Sequence, residues 1–443
     1  MRHTRSFRSI LLLTAFSLLA ATALAQPKLV VGIVIDGLSL DNLETNLDIM
    51  GPDGFHRFWN EGLVYTNGSY TFENADRSSA TATICTGSTP YYHGLVANRF
   101  LERKSLKVMP TIDAGVLTTT MADELKTGTR GSGYVLSVAV DRDMAIIGGG
   151  HAPNIVLWMD TQKGAWNTST SVKVPVWVDA ISYSNDVNDA VTALAGAALT
   201  CTPLGLDGKP DMLFIGLRAE PGNYRDLDFN IGSILHAVDE RCGMDNALVF
   251  LTSTGTLPTA VESDYRLPAG SMAEGELHSD RVVTMLNMYL SAIYGKDDYV
   301  EAAYLNHVFL NHELMERRQI KQKELLDRCT EFLSQMSGIK RVYPASDLLS
   351  GTAFSRVIDS YHSERSGDIL LEIAPGWTLV DDRWNEQQTF SRSHVRVPVA
   401  FLGSHVKAGV LPTAIDVCAI APTVSKLMKV RTPNGCSASG IGL

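Results

Sequence analysis

The sequence has few cysteines, and no two of them are closely spaced. Its 443 residues include six, which are Cys85, Cys201, Cys242, Cys329, Cys418 and Cys436. Because no CxxC spacing occurs, a cysteine-based zinc cluster is not expected. Six thiols in so long a chain do not form a disulfide framework either. Two individual disulfides, Cys201–Cys242 and Cys418–Cys436, are compatible with the sequence, which does not decide whether they form.

A surplus of positive charge is also lacking. The chain has 38 Lys and Arg against 48 Asp and Glu, and its formal net charge is −10 at pH 7. Residues 1–25 carry three arginines and no acidic residue, so their removal would change the net charge to −13. We therefore expect no nucleic-acid partner and no binding to an anionic membrane surface.

No apolar run of membrane length follows residue 25, and residues 1–25 have the layout of a secretory signal peptide. Three arginines precede an apolar stretch at residues 10–19, and Ala23-Leu24-Ala25 forms an A-x-A cleavage site. A retained membrane anchor is the alternative, but the stretch is short for a membrane span. We expect an exported protein, periplasmic or extracellular, whose folded part is residues 26–443 and has no transmembrane segment.

Apolar runs alternate with helical patterns along the rest of the chain. Six of these runs read as strands, at residues 29–35, 134–140, 211–217, 247–253, 368–373 and 397–403. The helical patterns lie at residues 76–86, 229–241, 314–336 and 414–428. The alternation predicts an α/β fold, a three-layer α/β/α sandwich with a mostly parallel central sheet.

We assign the core of this fold to residues 28–150, 205–257 and 366–443. Two intervening stretches have a different composition and read as insertions that form a cap over the sheet. These insertions are expected at residues 151–204 and 258–365.

Four segments, in this order, carry a family resemblance. They are the strand that ends at Asp36 with DRSSATATICTGSTPYYHG (76–94), GGGHAPNIVLWMD (148–160), RSGDILLEIAPGW (365–377) and AIAPTVSKLMKVRTPNGCSASGI (419–441). Together they resemble the alkaline phosphatase and nucleotide pyrophosphatase-phosphodiesterase superfamily. The most similar group within it is the exported, phosphate-insensitive bacterial alkaline phosphatases.

The resemblance implies a site with two zinc ions, a Thr or Ser nucleophile and about six Asp and His ligands at the carboxyl edge of the sheet. Asp36 matches the first ligand. The nucleophile position, nine residues before Thr86, is occupied by Arg77. Arginine stays protonated, so it is neither a nucleophile nor a metal ligand.

The other ligand positions implied by the resemblance also depart from the family pattern. Pro221 and Arg225 stand at one pair of positions, and Thr254 and Gly255 stand at the next. His394 lies too close to the last strand to be in register. Asp36 is then the only matching ligand, and we expect no metal and no cofactor.

A family phosphate contact of the form K-x-R is only half retained, because Arg142 matches and the lysine does not. Ser78 follows Arg77, but a serine at a helix start is more often a cap than a nucleophile. We expect Asp36 and Arg77 to form an ion pair where zinc charge stood in the family. The expected pocket consists of Asp36, Arg77, Ser78, Arg142, Arg225 and Thr254.

The sequence therefore predicts a non-catalytic member of the superfamily, a binding or scaffold protein of the cell envelope. A metal-dependent phosphoric-ester hydrolase with a rearranged site, a phosphomonoesterase or phosphodiesterase that uses zinc, is the alternative. A third interpretation is a sensor of a phosphorylated or sulfated small ligand. The partner that we expect is therefore either an envelope protein or such a small ligand.

Overall fold

The structure is a computed structural model of the chain, and it describes residues 26–73, 75–169, 172–181, 186–255, 275–389 and 395–443. The expected signal peptide and His394 lie outside these residues. Among the described helices, none has both the length and the apolar character that a membrane span requires. All six cysteines are described, as free thiols.

Eighteen strands are numbered here in chain order. They are β1 (Leu29–Asp36), β2 (Leu63–Ser69), β3 (Arg99–Glu102), β4 (Lys107–Pro110), β5 (Val135–Ala139), β6 (Ile155–Asp160), β7 (Ala165–Asn167), β8 (Asp211–Arg218), β9 (Ala247–Gly255), β10 (Gly275–His278), β11 (Val300–Tyr304), β12 (His307–Leu310), β13 (Ile339–Pro344), β14 (Ile369–Ile373), β15 (Trp377–Asp381), β16 (Glu386–Thr389), β17 (Val397–Gly403) and β18 (Gly409–Asp416).

The α-helices of the described residues are numbered in the same way. They are α1 (Leu40–Asn46), α2 (Phe55–Glu61), α3 (Arg77–Thr86), α4 (Pro90–His93), α5 (Met121–Gly128), α6 (Arg142–Gly149), α7 (Val187–Cys201), α8 (Tyr224–Cys242), α9 (Ser279–Tyr294), α10 (His312–Arg318), α11 (Gln322–Leu333), α12 (Ala345–Leu349), α13 (Ser355–Ser360) and α14 (Ile420–Leu427).

Nine strands form the main sheet, in the order β18-β2-β17-β9-β1-β8-β5-β6-β7. Its centre, from β9 to β6, is parallel, while β17 and β7 run antiparallel to their neighbours. Residues of β5 and β9 are buried along their whole length, so both faces of the central strands are covered. The predicted α/β fold with a mostly parallel central sheet is confirmed.

Strand β1 lies at the middle of this sheet because its side chains are apolar on both faces. Its first seven residues are all buried, and it pairs in parallel with β8 on one side and β9 on the other. Gly32 stands opposite Phe250 of β9. A Cβ at Gly32 would lie 2.8 Å from Phe250 Cε1, so the glycine leaves room for the ring.

The predicted boundary of the first insertion is wrong. We assigned residues 151–204 to a cap, but β6 and β7 extend the main sheet and α7 packs on β8 and β5. The apolar Ile155-Val156-Leu157 run pairs with β5 because it continues the parallel pattern. The residues around this run are rich in Trp, Thr and Ser, a composition that we interpreted as an insertion. Composition does not indicate which strands pair, so the interpretation was wrong.

The cap is instead built mainly from one continuous stretch, residues 275–389. It contains a three-stranded sheet in the order β10-β15-β16 and a four-stranded sheet in the order β11-β12-β14-β13. Strand β14 was predicted as a core strand, and it pairs with β12 and β13 of the cap. A separate hydrophobic cluster under these sheets includes Leu286, Leu310 and Ile369.

Two predicted helices are also shorter than expected. The 314–336 pattern is interrupted between α10 and α11, where Gln319 adopts the left-handed conformation with φ 57°. The pattern at 414–428 begins as the end of β18, and α14 starts only at Ile420. Amphipathic periodicity located these helices but did not define their ends.

Replacing Gly32 tests the close approach of β1 and β9. Gly32→Ala should lower the free energy of unfolding by about 1–3 kcal/mol, because the new methyl group meets the Phe250 ring in a closely packed sheet. Chemical denaturation measures the loss. The double variant Gly32→Ala/Phe250→Leu should recover part of it, and a double variant no better than the sum of the two single changes would contradict this account.

Asp381 of the cap is a buried carboxyl with an incomplete set of partners. The residue is 1% exposed, and its Oδ1 accepts a hydrogen bond from the Trp384 amide at 3.3 Å. Its Oδ2 has no hydrogen bond of good geometry with the described residues, although the Leu305 backbone amide lies close enough to lower the pKa of the carboxyl slightly. Burial raises the pKa of Asp381 to about 6, and the charges of Asp280 and Glu386 act in the same direction.

The pH dependence of unfolding should report this carboxyl. Its folded-state pKa exceeds the ordinary value of 3.8, so its contribution to stability is present below pH 3.8 and is lost as pH rises through about 6. Asp381→Asn should therefore gain stability relative to the parent between pH 4 and 7. Asp298→Asn, at an exposed position, serves as the control, and equal pH profiles for both variants would exclude the account.

Candidate functional site

The carboxyl ends of the central parallel strands bring four polar residues to one edge of the sheet. Asp36 ends β1, Arg218 ends β8, and Thr254 lies at the end of β9. Asp141 follows β5 after one residue. Since parallel strands share one carboxyl edge, these side chains come from distant parts of the sequence and meet there.

Helix α3 directs Arg77 at this edge. The helix begins with a capping box, in which Asp76 accepts from the Ser79 amide at 3.0 Å and Ser79 Oγ accepts from the Asp76 amide at 3.0 Å. The N-cap is therefore Asp76, not Ser78. Arg77 is the first helical residue, and it is the only one of the helix that is not buried.

Arg77 bridges two carboxylates. Its Nη1 lies 3.5 Å from Asp36 Oδ2 and 3.4 Å from Asp141 Oδ2. Arg218 reaches the same carboxylate from the other side, with Nη2 2.6 Å from Asp141 Oδ2. The expected Asp36–Arg77 ion pair is present, and Asp141 extends it to a second strand and a second arginine.

The remaining oxygen of Asp36 is bonded by a neutral group. Thr254 Oγ1 donates to Asp36 Oδ1 at 2.7 Å, and it accepts from the Gly37 amide at 3.4 Å. The Asp36 carboxylate is thus held by one guanidinium group and one hydroxyl group. Thr254 acts here as a hydrogen-bond donor to a carboxylate.

Ser78 is buried and turned toward a third carboxylate. Its Oγ donates to Asp143 Oδ2 at 3.0 Å, and its amide donates to Asn98 Oδ1 at 2.9 Å. The backbone amide of Asn98 in turn donates a hydrogen bond to Asp76 Oδ2. These bonds fix the start of α3 against the loop that carries Asn98.

Burial and charge oppose each other throughout this cluster. Burial raises the pKa of Asp36, and Arg77 and the Thr254 hydroxyl counteract it only in part. Burial also raises the pKa of Asp143. For Arg77 burial works to lower the pKa, but the three carboxylates of Asp141, Asp36 and Asp143 raise it overall.

The cluster holds no surplus of positive charge. Asp36, Asp141 and Asp143 face two guanidinium groups, those of Arg77 and Arg218. One Arg77 nitrogen, Nε, is buried without a hydrogen-bond partner among the described residues. The arginines are therefore committed to internal carboxylates.

Two residues of the expected pocket lie elsewhere. Arg142 pairs with Asp113 at an exposed position on the first turn of α6. Arg225 lies on the first turn of α8 and lines a surface cleft with Phe229 and His236. Neither forms an ion pair with Asp36 or Asp141 among the described residues.

Asp141, Asp143 and Asn98 were not predicted as site residues. Asp141 comes directly after an apolar strand, as Asp36 does, so the same rule would have found it. Asp143 lies two residues after Asp141, on the first turn of α6, so the direction of its side chain depends on where that helix starts. Asn98 carries no sequence signal, because it lies in an irregular loop that only tertiary packing brings to α3.

The described residues at this edge do not fit a zinc pair. Zinc requires carboxylate, imidazole or thiolate donors, and Arg77, Arg218 and Thr254 supply none. Within the described ranges no group of three or more His, Cys, Asp or Glu is arranged to hold a metal ion. His394, the one further histidine that the resemblance concerns, lies outside those ranges.

A family profile covers most of the chain. Residues 30–396 match the profile described as type I phosphodiesterase / nucleotide pyrophosphatase. The chain belongs to this family. The match includes the strands that carry Asp36, Arg218 and Thr254, so the cluster occupies the carboxyl edge of the family's own sheet.

Curated relatives and solved structures agree with this family. "Calcium-transporting ATPase" of Myroides odoratus is 23% identical and aligns with 95% of each chain. Alkaline phosphatase PhoV of Synechococcus elongatus is 23% identical over 93% of this chain and 92% of its own. The crystal structure of alkaline phosphatase PafA superposes with a TM-score of 0.80 at 21% identity, over 95% of this chain and 99% of that one.

These similarities confirm the resemblance to bacterial alkaline phosphatases and the α/β fold that it implied. At 21–23% identity they concern the fold and the family alone.

Removing Arg77 should destabilise the protein because Asp36 and Asp141 lose their shared cation. For Arg77→Ala we expect a loss of about 1–2 kcal/mol in the free energy of unfolding, less than for a fully buried pair because the side chain is 27% exposed. Urea denaturation at pH 7 measures it.

Arg142→Ala is the matched control for this experiment. Its ion pair with Asp113 is exposed, so its removal should change stability by no more than about 0.5 kcal/mol. Equal losses for the two variants would show that Arg77 is an ordinary surface arginine.

Proposed function

We propose that this chain is an exported, non-catalytic member of its family that acts as a binding or scaffold protein of the cell envelope. The observation that carries the proposal is Arg77, whose guanidinium group lies between Asp36 and Asp141 at 3.5 and 3.4 Å. A fixed positive charge there supplies the electrostatic balance that a metal ion would supply, without an open coordination position.

The hydroxyl groups near the edge support this proposal. Thr254 donates to Asp36, and Ser78 donates to Asp143, so both hydroxyls are engaged with carboxylates. Among the described residues no histidine bonds either hydroxyl. A hydroxyl group whose only partner is a carboxylate, a weaker base than an imidazole, is a poor nucleophile without a metal ion.

The charge balance argues against a simple phosphate sensor at the same edge. Binding a phosphate dianion requires uncommitted positive charge, and Arg77 and Arg218 already pair with Asp36 and Asp141. A ligand would have to break these pairs. We therefore place the binding role outside the Asp36–Arg77 cluster.

Export is part of the proposal and rests on residues 1–25 alone. Their basic start, apolar stretch and A-x-A site match a signal peptide, which supports a periplasmic or extracellular location. An envelope protein and a small anionic ligand are the partners that we propose on this basis.

A metal-dependent phosphoric-ester hydrolase is the competing function, because the family profile and the name of PhoV both point to such chemistry. The decisive test is the zinc content of mature protein dialysed against zinc, with nitrophenyl phosphate and phosphodiester assays on the same sample. We expect substoichiometric zinc and no turnover. About two zinc ions per chain, with turnover that Asp36→Ala abolishes, would establish the hydrolase.

Restoring a hydroxyl at position 77 provides a second prediction. Arg77→Thr should remain inactive in the presence of zinc, since Thr254, Gly255 and Pro221 still stand where the resemblance places metal ligands. Gain of phosphatase turnover by this variant over the parent would mean that the ligand set is more complete than we propose.

A further inference from the structure

The segment of residues 111–119, which connects β4 to α5, touches both the core and the cap. Its Leu117 amide donates to the carbonyl oxygen of His93 in the core at 3.0 Å. Its Ala114 carbonyl oxygen accepts from Nη2 of Arg365 in the cap at 2.8 Å. Whatever fixes the 111–119 segment therefore also supports a contact between the cap and the core.

His151 binds this segment to α5. Its Nε2 lies 3.0 Å from the carbonyl oxygen of Val116, and its Nδ1 lies 2.8 Å from Asp123 Oδ2. The close approach is possible because Gly150, which ends α6, has a φ of 71° and no side chain. A Cβ at Gly150 would lie 2.8 Å from Asp123 Oδ1.

Asp123 is held as a carboxylate. It accepts from the Thr120 amide at 2.8 Å, from Thr120 Oγ1 at 2.9 Å and from the His151 amide at 2.7 Å. Burial acts to raise the pKa of Asp123, but these hydrogen bonds and the imidazole of His151 together lower it. Asp123 therefore accepts the hydrogen bond from His151 Nδ1 and has no proton to donate.

Both ring nitrogens of His151 must then donate. A carbonyl oxygen and a carboxylate have only lone pairs to offer, and an imidazole carries two N–H groups only in its charged form. The hydrogen bond to Asp123 raises the pKa of His151, while partial burial opposes it. Loss of one proton leaves a single N–H group, so one of the two contacts is lost.

Around this cluster the imidazole is the group that changes charge near neutral pH. The Cys85 thiol that faces Asp123 stays neutral because burial raises its pKa. Among the described residues, Asp123 is the only carboxylate that pairs with His151. The other charged groups nearby have partners of their own, in the contacts Glu124–Arg431, Asp113–Arg142 and Lys126–Asn154.

We propose that His151 is a pH-sensitive clamp, which in its protonated form binds Asp123 and the Val116 carbonyl oxygen at once and so holds the 111–119 segment on the core. Deprotonation releases one of these contacts and loosens the segment that supports Arg365 of the cap. The clamp is independent of the proposed binding role, because none of its residues belongs to the Arg77 cluster.

The direction of the pH effect follows from the raised pKa. The contribution of His151 to stability is fully present below its ordinary pKa of 6.5 and is lost as pH rises through the higher folded-state value. The 111–119 segment should accordingly be closed in mildly acidic solution and looser in alkaline solution.

Hydrogen exchange of the mature protein, followed by mass spectrometry at several pH values from about 5.5 to about 9, tests the clamp. After correction for the intrinsic exchange rate, protection of peptides that cover residues 111–119 should fall about three- to tenfold across this range, because one hydrogen bond of a half-exposed charged ring is lost. The midpoint should lie above pH 6.5. Protection of β1 should stay constant.

Two histidine variants attribute the change to the clamp. His151→Gln keeps a polar side chain that cannot be protonated, so its 111–119 segment should be loose already at the lowest pH and show no pH dependence. His236→Gln is the matched control, because His236 also faces a carboxylate, that of Glu240 at 3.3 Å, but lies on the exposed surface of α8. This control should keep the pH profile of the parent.

Constant protection of the 111–119 segment in the parent, or a midpoint at or below pH 6.5, would overturn the clamp without reference to any variant. So would a parent-like pH profile in His151→Gln, or loss of the profile in His236→Gln. Circular dichroism establishes that both variants are folded. The outcome is separable from the proposed absence of catalysis, because neither zinc nor a substrate is present in the exchange experiment.

Discussion

The arrangement of this protein's site depends on one guanidinium group held between two carboxylates. Arg77 reaches Asp36 and Asp141 at the carboxyl edge of β1 and β5, and Arg218 balances Asp141 from β8. Three carboxylates gathered at one edge would repel each other in a partly buried site without these cations. The ion pairs thus offset the negative charge at this edge of the sheet, and they occupy both arginines of the cluster.

The cap borders a cavity that lies beside the Arg77 cluster. The arginines of the Arg77 cluster are paired with its own carboxylates, whereas the cavity beside it is lined by apolar side chains and by carboxylates that already have partners. Asn98 links the two, because its Oδ1 accepts a hydrogen bond from the Ser78 backbone amide and the residue also lines the cavity. A change at Asn98 therefore affects the start of α3, and with it Arg77, as well as the cavity wall.

The sequence was sufficient to predict the main sheet and, within the site, the ion pair of Asp36 and Arg77. The run before Asp36 and the position of Arg77 were sufficient to predict the strand, the helix start and the ion pair, since each follows from local pattern and resemblance. The cap boundary was wrong at 151–204 because strand pairing is a long-range property that composition does not encode. Arg142 and Arg225 were assigned to the pocket for a related reason: their partners, Asp113 and a separate surface cleft, are set by tertiary packing that the sequence does not encode. Asn98 and the cavity arise only from contacts between distant segments.

We propose that the Arg77 guanidinium group occupies the place where the family resemblance implies a metal ion. Diffraction from crystals grown with zinc, with data collected at the zinc absorption edge, tests it directly. We expect no anomalous peak beside Asp36 and an Arg77 guanidinium group within about 4 Å of both Asp36 and Asp141. A peak about 2 Å from an Asp36 oxygen, with Arg77 turned away, would contradict it.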